Sequence, residues 1–409
     1  MKRKIFISGL LITVVIILSS QVTAQEGKIN FGNLKIIPGL TLKGVYDDNI
    51  YLGNGTNQAN EIEESDWITH VMPALLFNYS LQERGSVSLG YSGDLAFYSD
   101  SDYSDNDWQN HKGALAVDYK SPGGLILFAN NTYIDAEDPY SNLEQYRIGL
   151  MTKRWDNDLK TKVGFDFGNR FRILTYYNFY KQDYELDRDY TQDYDQNEFG
   201  VGFQMRFLPK TWGFIRYHMG ERDYFTYLAG TGVTDSNDSD FQWQRVNAGL
   251  TWDPGAKVSG ELNVGYQWKE YDNETDVNGD QYEDQDTWIA GTLITYKATP
   301  STALVLSATR ALRQTGSNDN EYFTDTGIGI NLQQKILTKF TLTVGGSYSQ
   351  NDYNTDREDD NYRANTDLVY QIQDWLGAGI GYIYKKKDSN FTENEYTDNQ
   401  FMVSLIARY

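Results

Sequence analysis

The sequence predicts an all-β chain: a transmembrane antiparallel up-and-down β-barrel of about 18 strands, with roughly 16 to 20 admitted by the strand boundaries. Three observations carry this. A two-residue alternation of apolar and polar side chains returns along the chain up to Tyr409. Successive strand side chains point to opposite faces, so each such segment has one greasy and one wet side. Short turns and long polar stretches alternate between the segments, and an export signal opens the chain, which places the greasy sides where lipid can cover them.

Residues 1–24 read as a cleaved signal peptide. Lys2, Arg3 and Lys4 give a basic start, Ile5 to Leu18 an apolar run, and Val22, Thr23 and Ala24 a small-residue cleavage site. The run is short for a bilayer span and no stop-transfer charges follow it. Residues 25–37 are expected to form a short periplasmic N-terminal arm, and 38–409 a single outer-membrane barrel domain.

Bulk composition narrows the class. The chain carries 36 Lys and Arg against 57 Asp and Glu, a net charge of −21; without the three basic residues of the signal the balance is 33 − 57 = −24. Such a balance excludes nucleic acid as a partner. With no cysteine there is no disulfide framework, thiolate nucleophile or Cys-type metal site. The negative mean hydropathy does not oppose a barrel, because only alternate strand residues meet lipid. Closing the sheet also satisfies every backbone donor and acceptor, as hydrocarbon requires.

The alternation is plainest in four segments. Phe199, Val201, Phe203, Met205 and Phe207 alternate with Gly200, Gly202, Gln204 and Arg206. Val258, Leu262, Val264, Tyr266 and Trp268 stand against Ser259, Glu261, Asn263, Gly265, Gln267 and Lys269, and Leu376, Ala378, Ile380, Tyr382 and Tyr384 against Gly377, Gly379, Gly381 and Lys385. The chain closes on Phe401, Val403, Leu405, Ala407 and Tyr409.

Short turns fall at 82–86, 120–124, 169–171, 208–211, 253–257, 298–301, 333–339 and 373–375, several holding Pro122, Pro209, Pro254 or Pro300, where a missing ladder donor does no harm. Long polar stretches lie near 51–65, 99–107, 135–143, 187–196, 227–240, 272–284, 315–321, 351–361 and 388–397. This asymmetry predicts tight periplasmic turns, long acidic extracellular loops and both termini in the periplasm of a Gram-negative envelope. Residues 144–168 read as one long strand, with a hairpin around Trp155 as the other reading. Trp67, Trp108, Trp243, Trp268 and Trp288 near the long-loop ends, and Trp212, Trp252 and Trp375 near the short turns, are expected to form two aromatic girdles.

On the polar side of the strands, Arg206, Arg216, His218, Arg222, Arg245, Lys269 and Arg363 are expected to line the lumen, opposed by Asp94, Glu261, Asp325 and Asp367. Charges facing each other across water set up a transverse field or bind a solute; a salt-bridged lining that keeps the bore wet is the other reading. Gly90, Gly200, Gly202, Gly265, Gly345, Gly377, Gly379 and Gly381 favour a wide bore, or else relieve strand curvature.

Two acidic clusters, Asp272, Glu274, Asp276, Asp280, Glu283 and Asp284 with Asn278 and Gly279, and Asp352, Asp356, Glu358, Asp359 and Asp360, have carboxylates for a hard cation such as calcium. They lack the full loop pattern, so a solvated acidic surface is the default and no metal site or cofactor is expected. His70, His111 and His218 fall on separate strands with no nucleophile motif, which argues against an enzyme. Phe401, Val403, Leu405 and Tyr409 resemble the C-terminal assembly signal of bacterial outer-membrane barrels.

Around the first strand the chain reads Pro38 to Tyr51, including Tyr46, Asp47, Asp48 and Asn49, followed by Trp67 to Pro73 and then Leu75, Phe77 and Tyr79. This resembles the putative beta-barrel porin family that accompanies exopolysaccharide export. The resemblance implies an outer-membrane channel exporting an exopolysaccharide or other surface polysaccharide, with periplasmic export components as partners beside outer-membrane lipid, lipopolysaccharide and the barrel-assembly machinery. A general or solute-selective diffusion porin shares every physical feature above. Asp47, Asp48 and Asn49 are expected to make a turn where the first strand leaves the membrane, bonding their own backbone.

Overall fold

The computed structural model describes residues 29–56, 62–100, 106–138, 151–185, 192–224, 239–252, 257–275, 281–314 and 322–409; the signal peptide lies outside the described residues. A short β1 (Ile29–Phe31) folds back onto β2 (Leu34–Asp47). There follow β3 (Asp66–Ser80), β4 (Gly85–Tyr98), β5 (Trp108–Lys120), β6 (Leu125–Asp138), β7 (Thr152–Phe167), β8 (Phe171–Tyr184), β9 (Tyr194–Leu208) and β10 (Thr211–Tyr224). The second half adds β11 (Phe241–Trp252), β12 (Val258–Tyr271), β13 (Gln285–Thr299), β14 (Thr302–Gln314), β15 (Tyr322–Ile336), β16 (Phe340–Tyr353), β17 (Glu358–Gln373), β18 (Leu376–Ser389) and β19 (Tyr396–Arg408).

Each strand from β2 onward pairs antiparallel with the next, and β19 pairs with β2, so the ring of eighteen strands has no edge. Strands of 12 to 16 residues exceed the 9–11 or so that cross the hydrocarbon, so they project beyond it. The three register irregularities, at Thr211/Trp212, Lys297/Thr299 and Gln371/Gln373, all sit beside short turns. In the short turn between β7 and β8, Gly168 and Asn169 both take the left-handed conformation, with φ of 62° and 59°, which suits Gly and Asn.

The molecule is apolar outside. The predicted row Phe199, Val201, Phe203, Met205 and Phe207 is exposed, while Gly200, Gly202 and Gln204 between them are buried. The same holds for Leu262, Val264, Tyr266 and Trp268 on β12, for Ile380 on β18, and for Phe401, Val403 and Leu405 on β19. In a closed ring the face opposite these rows is the bore. Buried apolar clusters are small: Ile50, Ile68 and Ala96 at one place, Tyr224, Phe241 and Trp243 at another.

Residues 152–167 run as one strand, as the one-strand reading of that stretch expects, with no hairpin at Trp155. The fold departs from the sequence reading at three points. The first strand begins at Leu34, not Pro38: β1 supplies a hairpin partner that extends it, so 34–37 belong to the barrel wall. The expected loop at 351–361 shrinks to the link between β16 and β17, with Tyr353 N bonding Arg357 O. The third point concerns the tryptophans. Trp67, Trp268 and Trp288 are exposed on the outside, and Trp375 is exposed in its turn. Trp108, Trp212 and Trp243, however, share the parity of the inner face and pack there.

Candidate functional site in the bore

Charged side chains on the inner wall pair along the wall, not across it. Arg216 on β10 donates through both Nη atoms to the two carboxylate oxygens of Glu261 on β12, each at 2.8 Å. Glu198 on β9 meets His218 Nδ1 on β10 at 2.6 Å and accepts from Arg245 Nη2 on β11 at 2.8 Å. Arg313 Nε on β14 donates to Asp325 on β15 at 2.8 Å. His70 Nδ1 lies 2.9 Å from Asp94. Each pair joins strands one or two places apart, because a long inward side chain lies over its neighbour before it reaches the axis.

Glycine makes that lateral arrangement fit. A Cβ at Gly200 would lie 2.6 Å from His218 Nδ1, and one at Gly202 3.2 Å from Arg216 Cγ and from the Tyr176 ring. Gly265 gives way in the same manner to Asn247, Gly345 to Asn331 and Asn365, and Gly381 to Asp367. Gly90 and Gly377 differ, since a Cβ there meets nothing closer than 3.5 Å. Most of the inward glycines are therefore seats for cross-strand side chains.

On β8–β12 the inward rings are covered by cations. Trp212, 1% exposed, carries the Arg172 guanidinium 3.6 Å from one ring centroid and Arg206 at 4.3 Å. Arg216 stacks on Phe214 at 3.8 Å, Arg245 on Trp243 at 4.8 Å and Arg222 on Tyr194 at 4.0 Å. Lys269 Nζ is 4.0 Å from both Phe241 and Tyr271. What these strands present to the bore is guanidinium and amide surface more than bare ring face.

Asp47, Asp48 and Asn49 form the join of the barrel. Asn49 N donates to Asp47 Oδ1 at 2.9 Å, the expected local turn. The same residues also reach β19. Asp48 N donates to Asn399 O at 3.2 Å, Asn399 N and Nδ2 donate to the Asp48 carboxylate at 2.6 and 2.8 Å, and Gln400 Nε2 donates to Asp47 at 2.8 Å. Asn49, fully buried, donates through Nδ2 to Thr397 O and Gly53 O at 2.9 and 2.8 Å. Tyr46 beside them points outward. Asp47, Asp48 and Asp398 bring carboxylate oxygens within 4.8 Å of one another, and Lys385 Nζ donates to Asp398 at 2.7 Å.

Arg206, Arg216, His218, Arg222, Arg245, Glu261, Lys269, Asp325, Arg363 and Asp367 all sit at bore parity, and the structure joins Arg216, His218, Arg245, Glu261 and Asp325 to oppositely charged or imidazole partners one or two strands away. The sequence reading missed Glu198, Phe214 and Phe241. Their parity is the same as that of Gly200, Arg216 and Arg245, so alternation contains the signal that would have found them. His111 faces outward against Tyr91, 2.8 Å away, on a different strand from His70 and His218.

Of the first acidic cluster, Asp276, Asn278, Gly279 and Asp280 lie outside the described residues. The second divides between faces: Asp359 turns in to Arg357 and Ser389, and Asp360 turns out to Tyr348, which leaves no shared cation pocket.

A closed ring of strands, apolar outside and lined with charge and amides inside, defines an outer-membrane channel. This chain belongs to the family described as "Putative beta-barrel porin 2", whose profile matches residues 26–409. It is thus a porin-class barrel and not an enzyme. No match was found among curated proteins. Among solved structures, the outer membrane protein OpdK of Pseudomonas aeruginosa aligns at 8% identity over 91% of this chain and 99% of its own, with a TM-score of 0.43. OccAB4 of Acinetobacter baumannii aligns at 11% identity over 94% and 100%, with a TM-score of 0.44. The ferric enterobactin receptor PfeA of Pseudomonas aeruginosa aligns at 7% identity over 91% and 81%, with a TM-score of 0.46.

Proposed function

We propose that this protein is a passive, solute-selective diffusion channel of the outer membrane. The observation that carries this reading is the wall itself: polar side chains tethered laterally over glycine seats, with the inward rings of β8–β12 capped by cations. Such a lining offers hydrogen bonds and charge to small hydrophilic solutes. It offers little bare aromatic face for a saccharide chain to slide along. Polysaccharide export, implied by the family resemblance, is the second reading; the Asp47–Asn49 signature that suggested it is engaged in closing the barrel.

In this proposal both termini are periplasmic, a reading supported by β2 starting and β19 ending at the short-turn end, and the outward row Phe401, Val403 and Leu405 with Tyr409 is what the assembly machinery reads. Outer-membrane lipid and lipopolysaccharide surround the barrel.

Planar-bilayer recording of the full-length protein tests the reading. A diffusion channel conducts ions steadily without any partner, and a deletion strain keeps its surface polysaccharide. A barrel that stays closed alone, together with loss of surface polysaccharide on deletion, would replace diffusion by export.

A further inference from the structure

The bore of this acidic protein has a basic wall. On β9–β12 the inner face carries Arg206, Arg216, Arg222, Arg245 and Lys269 against two carboxylates, Glu198 and Glu261, in a chain of net charge −21. Both carboxylates are already engaged by Arg245 with His218 and by Arg216.

Arg222 is different. It is half-buried near the long-loop end of β10, and its hydrogen bonds go to neutral oxygens: Nε and Nη2 to Gln196 Oε1 at 3.1 and 2.9 Å, and Nη1 to Tyr224 OH at 3.3 Å. The Phe241 ring brings a second basic side chain to the same place. Arg222 lies 5.2 Å from that ring centroid and Lys269 Nζ 4.0 Å, with Lys269 donating to Tyr271 OH at 2.7 Å. For Arg222, neutral dipoles and ring quadrupoles hold the guanidinium in position without cancelling its charge, and a bore with low-dielectric walls focuses that field.

We infer that Arg222, with Lys269 behind it on Phe241, is the capture subsite for the carboxylate of small acidic solutes such as sugar acids. The inference rests on the diffusion-channel reading and gives it a substrate charge. A guanidinium fork matches a carboxylate in two parallel hydrogen bonds, and Gln196 and Tyr224 hold that fork at the wall. A solute bound there next meets the paired Arg245 and Arg216 further down the same strands.

The test uses the full-length protein in planar bilayers, with sodium galacturonate and neutral galactose as probes. Under a salt gradient the wild type is expected to prefer anions, and galacturonate to modulate the current at about a tenth of the galactose concentration needed, or less. Arg222→Gln should raise the half-effective galacturonate concentration about tenfold and move the reversal potential toward cations. Arg222→Lys should keep the sign of the selectivity while losing most of the galacturonate effect, because it retains the charge but not the fork. Lys269→Gln supplies the same reading if Arg222→Gln does not assemble.

A cation-preferring wild type, equal response to both probes, or variants that behave as wild type would each overturn the subsite. If galactose and salt still pass in those cases, the diffusion channel stands and only the capture site falls. If nothing passes, the underlying reading falls instead.

Discussion

Asp48 and Asn399, 351 positions apart, grip each other through a backbone N–H at 2.6 Å and a side-chain amide at 2.8 Å, both donated to the one carboxylate. The ladder between β2 and β19 runs from Gly39–Arg408 to Asp47–Gln400, and this grip continues it past the last paired residue. Charge-assisted hydrogen bonds to a carboxylate contribute more than neutral ones, so the pair, beside Gln400–Asp47 and Asn49–Thr397, fastens the ring beyond the strand pairing.

Asp48→Ala should therefore lower unfolding stability by about 1–3 kcal/mol without altering single-channel conductance. Urea unfolding in lipid vesicles measures the first and bilayer recording the second; unchanged stability would show that the Asp48 carboxylate does not fasten the join.

Glu261→Gln leaves the buried Arg216 fork without its carboxylate. We expect a loss of about 1–3 kcal/mol and a shift of selectivity further toward anions, since one of the two carboxylates on that wall is gone. A reversal potential that moves toward cations would contradict the placement of Glu261 in the conduction path.

Two glycine substitutions should separate seats from bystanders. Gly200→Ala drives a methyl into the His218 ring and displaces it from Glu198, with a cost of about 1–3 kcal/mol. Gly90→Ala meets only ordinary contacts at 3.5 Å or more and should be neutral or mildly stabilising. Equal effects of the two on unfolding would remove the seat interpretation.

Facing can be checked on β12 with one residue type. Val264→Arg on the exposed row, where Val264 is 56% accessible, should destabilise by about 2–4 kcal/mol if it lies near the bilayer midplane. Gln267→Arg on the inner row should leave stability nearly unchanged and alter conductance. The reverse ranking would mean the strand is turned the other way.

Strand number, strand faces and the ends at which turns are short were legible in the sequence because each is a local property of alternation and of turn residues such as Pro122 and Pro209. What lies beside what across the ring was not. Nothing in the period of β2 says that Asp48 meets Asn399, since that contact follows from closure. Trp108, Trp212 and Trp243 differ from expectation for a related reason: height along a strand points to a girdle, but parity decides whether lipid or bore receives the ring. The inward glycines predict a wide bore or relief of strand curvature, whereas His218, Arg216 and Asn247 lean from the next strand into the space left at Gly200, Gly202 and Gly265. The 351–361 stretch looked like a loop because acidic residues dominate it, yet β16 and β17 carry their acids on alternating faces and remain paired almost to the tip.

Every other join in the ring links strands adjacent in sequence, so each can zip from its own turn, but the β2–β19 join must bring together ends separated by some 350 positions. Bringing such distant points together costs about 5 kcal/mol of chain entropy on a flexible-loop estimate. β19 is thus the strand that shuts the cylinder against β2. Until it arrives, β2 and β18 each present a free margin of backbone donors and acceptors, ready to recruit strands from other molecules, so an incomplete copy of this chain is a seed for aggregation and not merely a shorter pore.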